Sequence, residues 1–161
     1  MTERVDIRKA GIRDYEELKQ IRTEFYLWEA ERDRRIKKAY VRHLGPTLAK
    51  MMRQKDKAFF MAEAEGKAIG YAAAEIQKNP AWCVHDKRGH MFNLYVDRQY
   101  RRKGVGQKLT EACLRWFKEK GIRDLMIMHY HFNTEAASLY KRYGFREYIV
   151  MLTKQGKTSS D

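Results

Sequence analysis

The chain has 161 residues, 43% hydrophobic and 12% aromatic, enough apolar side chain for one packed core and too short for two full-sized domains. Thirty-four Lys and Arg against 21 Asp and Glu give a formal charge of +13, which favours polyanionic partners: a nucleic acid, an anionic membrane surface or a phosphate-rich cofactor. No run approaches the roughly 18 uncharged residues of a membrane span, and Glu3, Arg4 and Asp6 stand where a secretory signal needs an apolar core, so a cytoplasmic protein without a membrane partner is expected.

In chain order, residues 5–9 alternate as a first strand. Asp14 stands where it would cap a helix whose Leu18, Ile21, Phe25 and Trp28 share one face. A second helical pattern starts near Asp33, sets Ile36, Tyr40 and Leu44 on one side, is expected to break at Gly45-Pro46, and resumes through Leu48, Met51 and Met52. Residues 58–64 and 68–76, joined by Glu65-Gly66-Lys67, form a predicted hairpin, and residues 79–89 a polar loop. A strand over 90–96 follows, then a long helix over 104–120. The stretch 125–130, apolar on both faces, reads as a central strand. A short helix over 133–143 and a last strand over 145–152 complete the order. The fold class this implies is α/β (α+β): a single domain with a mixed, mostly antiparallel sheet covered by helices on both faces. The domain is expected to span 1–154, with a polar tail over 155–161.

The strand ending at Val96 runs into Asp97-Arg98-Gln99-Tyr100-Arg101-Arg102-Lys103-Gly104-Val105-Gly106, after which Val105, Leu109, Ala112, Cys113, Trp116 and Phe117 repeat at helical spacing. The first turn of a helix leaves amide N–H groups unpaired, its dipole favours negative charge, and glycines let a pyrophosphate approach the backbone. This is an anion site in physical terms, although the same residues would also serve simply to shape a turn beside a solvated basic face. It is neither a Walker loop, which needs Gly-Lys-Ser/Thr, nor a dinucleotide fingerprint, whose third glycine is Leu109 here.

Arg101-x-x-Gly104-x-Gly106 resembles the acyl-CoA pyrophosphate motif of the GNAT superfamily of N-acyltransferases, and Asn93-Leu94-Tyr95-Val96 resembles that family's fourth strand. Downstream, Asn133-Thr134-Glu135-Ala136-Ala137-Ser138-Leu139-Tyr140, followed by Tyr143-Gly144-Phe145, resembles the family's second signature, in the expected order. The resemblance covers residues 90–145. It implies acetyl-CoA as co-substrate and an unidentified amine as acceptor, with no metal expected; a homodimer is compatible with it. Leu94 and Val96 would offer backbone groups to the pantetheine arm, and the amides of Arg102, Lys103, Gly104, Val105, Gly106 and Gln107 would hold the pyrophosphate, with Arg101 and Arg102 adding charge. Asn133 would bond the CoA arm where the central strands part.

Acyl transfer to an amine needs a neutral nucleophile, stabilisation of a tetrahedral oxyanion and a proton for the departing thiolate. By the resemblance, a backbone amide around Tyr95 serves the oxyanion and the Tyr140 phenol is the general acid; the plainer alternative for Tyr140 is a packed core aromatic. The family's frequent fourth-strand glutamate is absent, and His90 occupies its place. His90 and, through water, Glu75 and Glu24 are the candidate bases, each with an ordinary surface role as the alternative. His129 and His131 share a strand face, the placement of metal ligands or a proton relay, but with no third ligand at recognisable spacing, buried, hydrogen-bonded histidines are the plainer reading. Cys113 falls on the apolar helix face, which argues for an inert thiol and for direct attack in a ternary complex. An acceptor amine would suit the acidic group Glu24, Glu29, Glu31 and Asp33, although pairing with Arg22, Arg32, Arg34 and Arg35 accounts for it equally. Two rival readings remain: a catalytically silent acyl-CoA sensor, and a basic nucleic-acid module using Arg98, Arg101, Arg102 and Lys103, for which the element order offers no known counterpart.

Overall fold

The computed structural model describes residues 4–154; the polar tail expected at 155–161 lies outside the described residues. The chain divides into two compact units, one ending at Met128 and one beginning at His129. The first contains strands β1 (Asp6–Lys9), β2 (Lys57–Ala64), β3 (Lys67–Lys78), β4 (Lys87–Val96) and β5 (Asp124–Ile127), with helices α1 (Tyr15–Ala30), α2 (Val41–Met52) and α3 (Val105–Glu119). The second contains helix α4 (Thr134–Arg142). The sheet order is β1-β2-β3-β4-β5, antiparallel throughout except for the parallel β4–β5 pair. The expected mixed, mostly antiparallel sheet is therefore present.

Strand alternation sorts the core into two layers. Phe59 and Met61 of β2 and Tyr71 and Ala73 of β3 meet Leu18 and Ile21 of α1 and Leu48 of α2 in one buried cluster. On the opposite face, α3 presents Val105, Leu109, Cys113 and Phe117, each at most 2% exposed. Glycines let this helix lie close to the sheet. A Cβ on Gly89 would fall 2.6 Å from two ring carbons of Phe117, and one on Gly70 would fall 2.9 Å from the Tyr95 carbonyl and 3.3 Å from Leu109. Gly89→Ala should therefore destabilise the fold by about 1–3 kcal/mol through overpacking, measured as a lower midpoint in denaturant unfolding; an unchanged midpoint would mean that Phe117 moves aside freely.

The β2–β3 hairpin forms as expected, with Glu65 and Gly66 both at positive φ, 49° and 74°, the geometry of a turn whose twist matches its strands. Three other expectations are corrected. The second helix neither starts near Asp33 nor breaks at Gly45-Pro46: it begins at Val41 and carries Pro46 inside it. Pro46 lies in the second turn, where it forfeits only one backbone bond, and the burial of Leu44 and Leu48 carries the helix through. The stretch read as a central strand is an edge strand among the described residues, shorter than expected, with all four residues half-buried. Residues 145–152 form no strand, and Tyr148, Ile149, Val150, Met151 and Leu152 are each at least 75% exposed. Their β-branched and aromatic content suits a strand, but without polar alternation the run selects no buried face.

Asp14 occupies the N-cap position of α1, yet its side chain does not cap the helix. Its two carboxylate oxygens accept from Arg8 at 2.8 Å each, and one also accepts from the Gly11 amide at 2.7 Å, while Arg8 also pairs with Glu63 across the β1–β2 ladder. The Arg8 bonds outweigh burial and hold the Asp14 carboxyl at about 2, below the ~3.9 of an unfolded chain. A depressed folded pKa gives stability that is present above about pH 4 and lost as pH falls towards 2. Acid titration of unfolding free energy should show this slope in the native protein, and Asp14→Asn should flatten it; parallel curves would exclude Asp14 as its source.

Candidate active site

Strand β4 carries an irregularity where the site residues begin. Its register with β3 pairs Ala74 with Met91 but Ala73 with Asn93, leaving Phe92 as an extra residue. The pairing of β4 with β5 stops at Met91–Ile127. From Phe92 to Val96, β4 is therefore hydrogen-bonded to β3 alone, and its other edge has no strand beside it among the described residues. A bulge that ends pairing in this way presents backbone N–H and C=O groups to a ligand. The Asp97 amide donates to the Ile69 carbonyl at 2.8 Å, so by strand alternation Tyr95 turns its backbone groups to β3, and Leu94 and Val96 turn theirs to this edge. One group is already engaged, since the Val96 carbonyl accepts from Arg101 Nε at 2.9 Å.

Beyond β4, Asp97 accepts from the Gln99 amide and starts a short 3-10 turn, Arg98–Tyr100. Arg102 and Gly104 then take positive φ, 60° and 80°, and α3 begins with Gly104 as a left-handed N-cap that provides no side-chain bond. The first amides of α3 are thus left to water or to an anion. A Cβ at Gly104 would meet nothing within 4 Å; the open space lies outside the helix end. Around it stand the cations of Arg102 and Lys103, both exposed, with Lys103 Nζ 5.3 Å from the Tyr100 ring centre. Gln107, also on the first turn, is bonded to Glu111 at 3.1 Å. Arg101 points elsewhere: besides the Val96 carbonyl, its guanidinium lies 5.7 Å from the Trp28 ring and 5.8 Å from the Tyr95 ring. It braces the loop against α1 and β4.

The candidate bases separate. Cross-strand register sets Glu75 opposite Lys57 on one side and His90 on the other. The Glu75 carboxylate pairs with Lys57, accepts from Gln77 at 2.5 Å, and lies 3.2 Å from His90 Nδ1. Burial alone would raise its pKa, but the bonds from Lys57, His90 and Gln77 together hold it below the usual carboxylate value. Glu75 is therefore a saturated anion that orients its neighbours. His90 is 6% exposed, and its Nε2 has no hydrogen-bond partner. Glu24 is exposed and only 3.4 Å from Gln20.

In the second unit, Asn133 caps α4, its Oδ1 accepting from the Ala136 amide at 3.2 Å. Only its Nδ2 is left to donate to a ligand. Tyr140 is 6% exposed, with ring contacts to His129 at 6.1 Å and to Phe145 at 6.2 Å. His129 and His131 are exposed and lie outside any strand, which corrects the expectation of a buried pair; His129 Nδ1 bonds the next carbonyl, of Tyr130, at 2.9 Å. Cys113 is buried, and burial pushes its thiol up to about 12, so it is inert near neutrality. Among the described residues no group of three or more His, Cys, Asp or Glu is arranged to hold a metal ion, and no helix is long and apolar enough to cross a membrane.

Two residues that the sequence reading did not single out for a site, Arg22 and Tyr71, line a cavity of ≈ 60 Å³ together with Phe25, Glu29, Leu44 and Asn93. A signal for it was present: Leu18, Arg22, Phe25 and Glu29 recur at helical spacing, so two charged residues sit within the apolar stripe of α1.

Comparison with known proteins gives three kinds of match. Residues 15–145 match the model of the acetyltransferase (GNAT) family. An N-alpha-acetyltransferase of Sulfurisphaera tokodaii is 30% identical over 109 residues, 62% of this chain and 63% of that protein. Human N-acetyltransferase 8 is 27% identical over 94 residues, 58% of this chain and 40% of its own length. The chain thus spans less than two thirds of either relative. Among solved structures, an aminoglycoside N-acetyltransferase, AAC(6')-Iy, in complex with CoA superposes with a TM-score of 0.75 at 23% identity, covering 98% of both chains. A GCN5-related N-acetyltransferase from Ralstonia eutropha gives 0.77 at 24% identity, covering 94% of this chain and 99% of its own. At these identities the structural likeness establishes the fold.

Proposed function

The chain belongs to the acetyltransferase (GNAT) family, and from that membership we propose that it moves an acetyl group from acetyl-CoA to a primary amine by direct attack in a ternary complex. The observation that carries this reading is the junction of β4 and α3: a strand edge with no strand beside it from Phe92 to Val96 among the described residues, followed within ten residues by an uncapped helix N-terminus among cations. An elongated ligand with an amide-rich arm and a pyrophosphate fits that pair of features. The β4 edge bonds the pantetheine arm through Leu94 and Val96, and the amides from Arg102 to Gln107 hold the pyrophosphate. Arg102 and Lys103 add charge, and Arg101 keeps the loop in place.

In the reaction the amine nitrogen attacks the thioester carbonyl carbon, and the resulting oxyanion takes a hydrogen bond from a β4 amide around Tyr95. The carbon–sulfur bond then breaks, and the thiolate takes the Tyr140 phenolic proton. The proton lost by the amine passes to His90 Nε2, with Glu75 fixing the ring through Nδ1. Glu75 is thus a positioning residue and His90 the base. Asn133, with Oδ1 committed to the helix cap, donates Nδ2 to the CoA arm.

Calorimetric titration with acetyl-CoA and with CoA, together with release of free thiol from acetyl-CoA over a panel of primary amines, tests the proposal. Binding of both and amine-dependent thiol release are expected. Binding without release for any amine would leave a silent sensor, and absence of binding would overturn the reading.

A further inference from the structure

The acidic side chains of α1 and the segment after it are of two sorts. Glu31 and Asp33 are paired with Arg32 and Arg35, at 3.7 and 2.8 Å, and Glu24 faces solvent. Glu29 has neither a cation nor a hydrogen-bond donor at its carboxylate among the described residues, although it lines the cavity between α1, α2 and the sheet. Burial, and secondarily the charge of Asp33, push its carboxyl up to about 7. That is the condition of a carboxylate whose counter-ion belongs to a ligand.

The rest of the lining points the same way. Tyr71 is 0% exposed, and no donor or acceptor meets its hydroxyl in good hydrogen-bond geometry; the Arg22 guanidinium stands close enough to act on it, by charge and by a weak side-chain hydrogen bond. Arg22 itself is spent on α2, donating to the Leu44 carbonyl at 3.1 Å with the Met51 sulfur 4.0 Å away, and it makes no ion pair with Glu29. Asn93 enters the cavity from the β4 bulge, the point where the strand edge becomes free. A cavity of ≈ 60 Å³ takes about four to six water-sized groups. An aminoalkyl end fits; a sugar ring does not.

We infer that this cavity receives the ammonium end of the acceptor, with Glu29 as its counter-ion and Tyr71 and Asn93 as its hydrogen-bond partners, so that the acceptor is an unbranched primary alkylamine. The inference rests on the transferase reading above. It adds a specificity-determining residue that binds the acceptor and not the acyl donor, in a chain otherwise strongly basic. Both can accept an ammonium proton, Tyr71 through its phenolic oxygen and Asn93 through its side-chain carbonyl.

The test is calorimetric titration of n-butylammonium and tert-butylammonium into CoA-saturated protein, native and Glu29→Gln, with thiol release followed in parallel. The native protein should bind n-butylammonium and reject the branched isomer. Glu29→Gln should weaken n-butylammonium binding at least tenfold while leaving CoA affinity and the unfolding temperature unchanged, and Glu29→Asp should restore part of the loss. Equal affinity in native and Gln variants, or equal binding of both amines, would overturn the assignment while CoA binding and thiol release with other amines left the transferase standing. A native protein that fails to bind CoA would instead overturn the transferase reading itself.

Discussion

Gly104→Asp is expected to reduce CoA affinity by more than 100-fold, about 2.7 kcal/mol, while the protein remains folded. Gly104 is the left-handed N-cap of α3, with φ 80°, and nothing lies within 4 Å of a Cβ built on it. Asp and Asn tolerate this conformation better than other side chains, at a cost of roughly 1 kcal/mol. The carboxylate would lie over the amides that the pyrophosphate needs. It would even suit the helix dipole, so the fold gains from the same charge that excludes the ligand. Gly104→Asn separates the contributions, since it shares the backbone cost and side-chain size without the charge. Calorimetry should show the Asn variant losing only a few-fold in affinity and the Asp variant losing nearly all. If the two fall equally, shape and not charge governs the loop; if neither falls, the pyrophosphate binds elsewhere.

Tyr140→Phe is expected to lower kcat by about 10²–10³, within the range for loss of a general acid, with CoA affinity changed less than twofold. The ring of Tyr140 is buried between His129 and Phe145, and phenylalanine keeps that ring. Stability should accordingly be preserved. Because the proposed role of the phenol is to protonate the departing thiolate, kcat and kcat/KM should fall together. Steady-state thiol release beside a CoA titration decides the matter: native turnover in the Phe variant would return Tyr140 to the core as a packing residue.

The local structure at both of these positions was legible in the sequence because the information is local. A glycine at positive φ, a basic run and a helix start are contiguous from Arg101 to Gly106, and Asn133, Leu139 and Tyr140 lie within one short helix and its cap. The β2–β3 hairpin was equally plain, being set by Glu65 and Gly66. What escaped the sequence depends on register or on distant partners. That Glu75 is held as a fully paired anion follows from its standing opposite both Lys57 and His90, and no spacing along the chain specifies those pairings. That Pro46 lies within α2 follows from tertiary burial of Leu44 and Leu48 overriding a local breaker. The run from Tyr148 to Leu152 has strand composition without a sheet to join, because propensity supplies no ladder partner. Glu29 was visible as one acid among four; its isolation from Arg22, Arg32 and Arg35 was not.

The two glycines under α3 enlarge the set of positions at which inherited change would affect the cofactor. A Cβ on Gly70 or Gly89 would crowd Leu109 or Phe117, and α3 is the element whose first turn is proposed to hold the pyrophosphate. A methyl group added on β3 or β4 would tilt or lift the helix, displacing its amides without altering one residue of the loop. Variants that weaken acetyl-CoA use should therefore cluster in two places, the loop itself and these strand positions on the sheet's helix-bearing face. A survey confined to cofactor contacts would classify the second group as neutral.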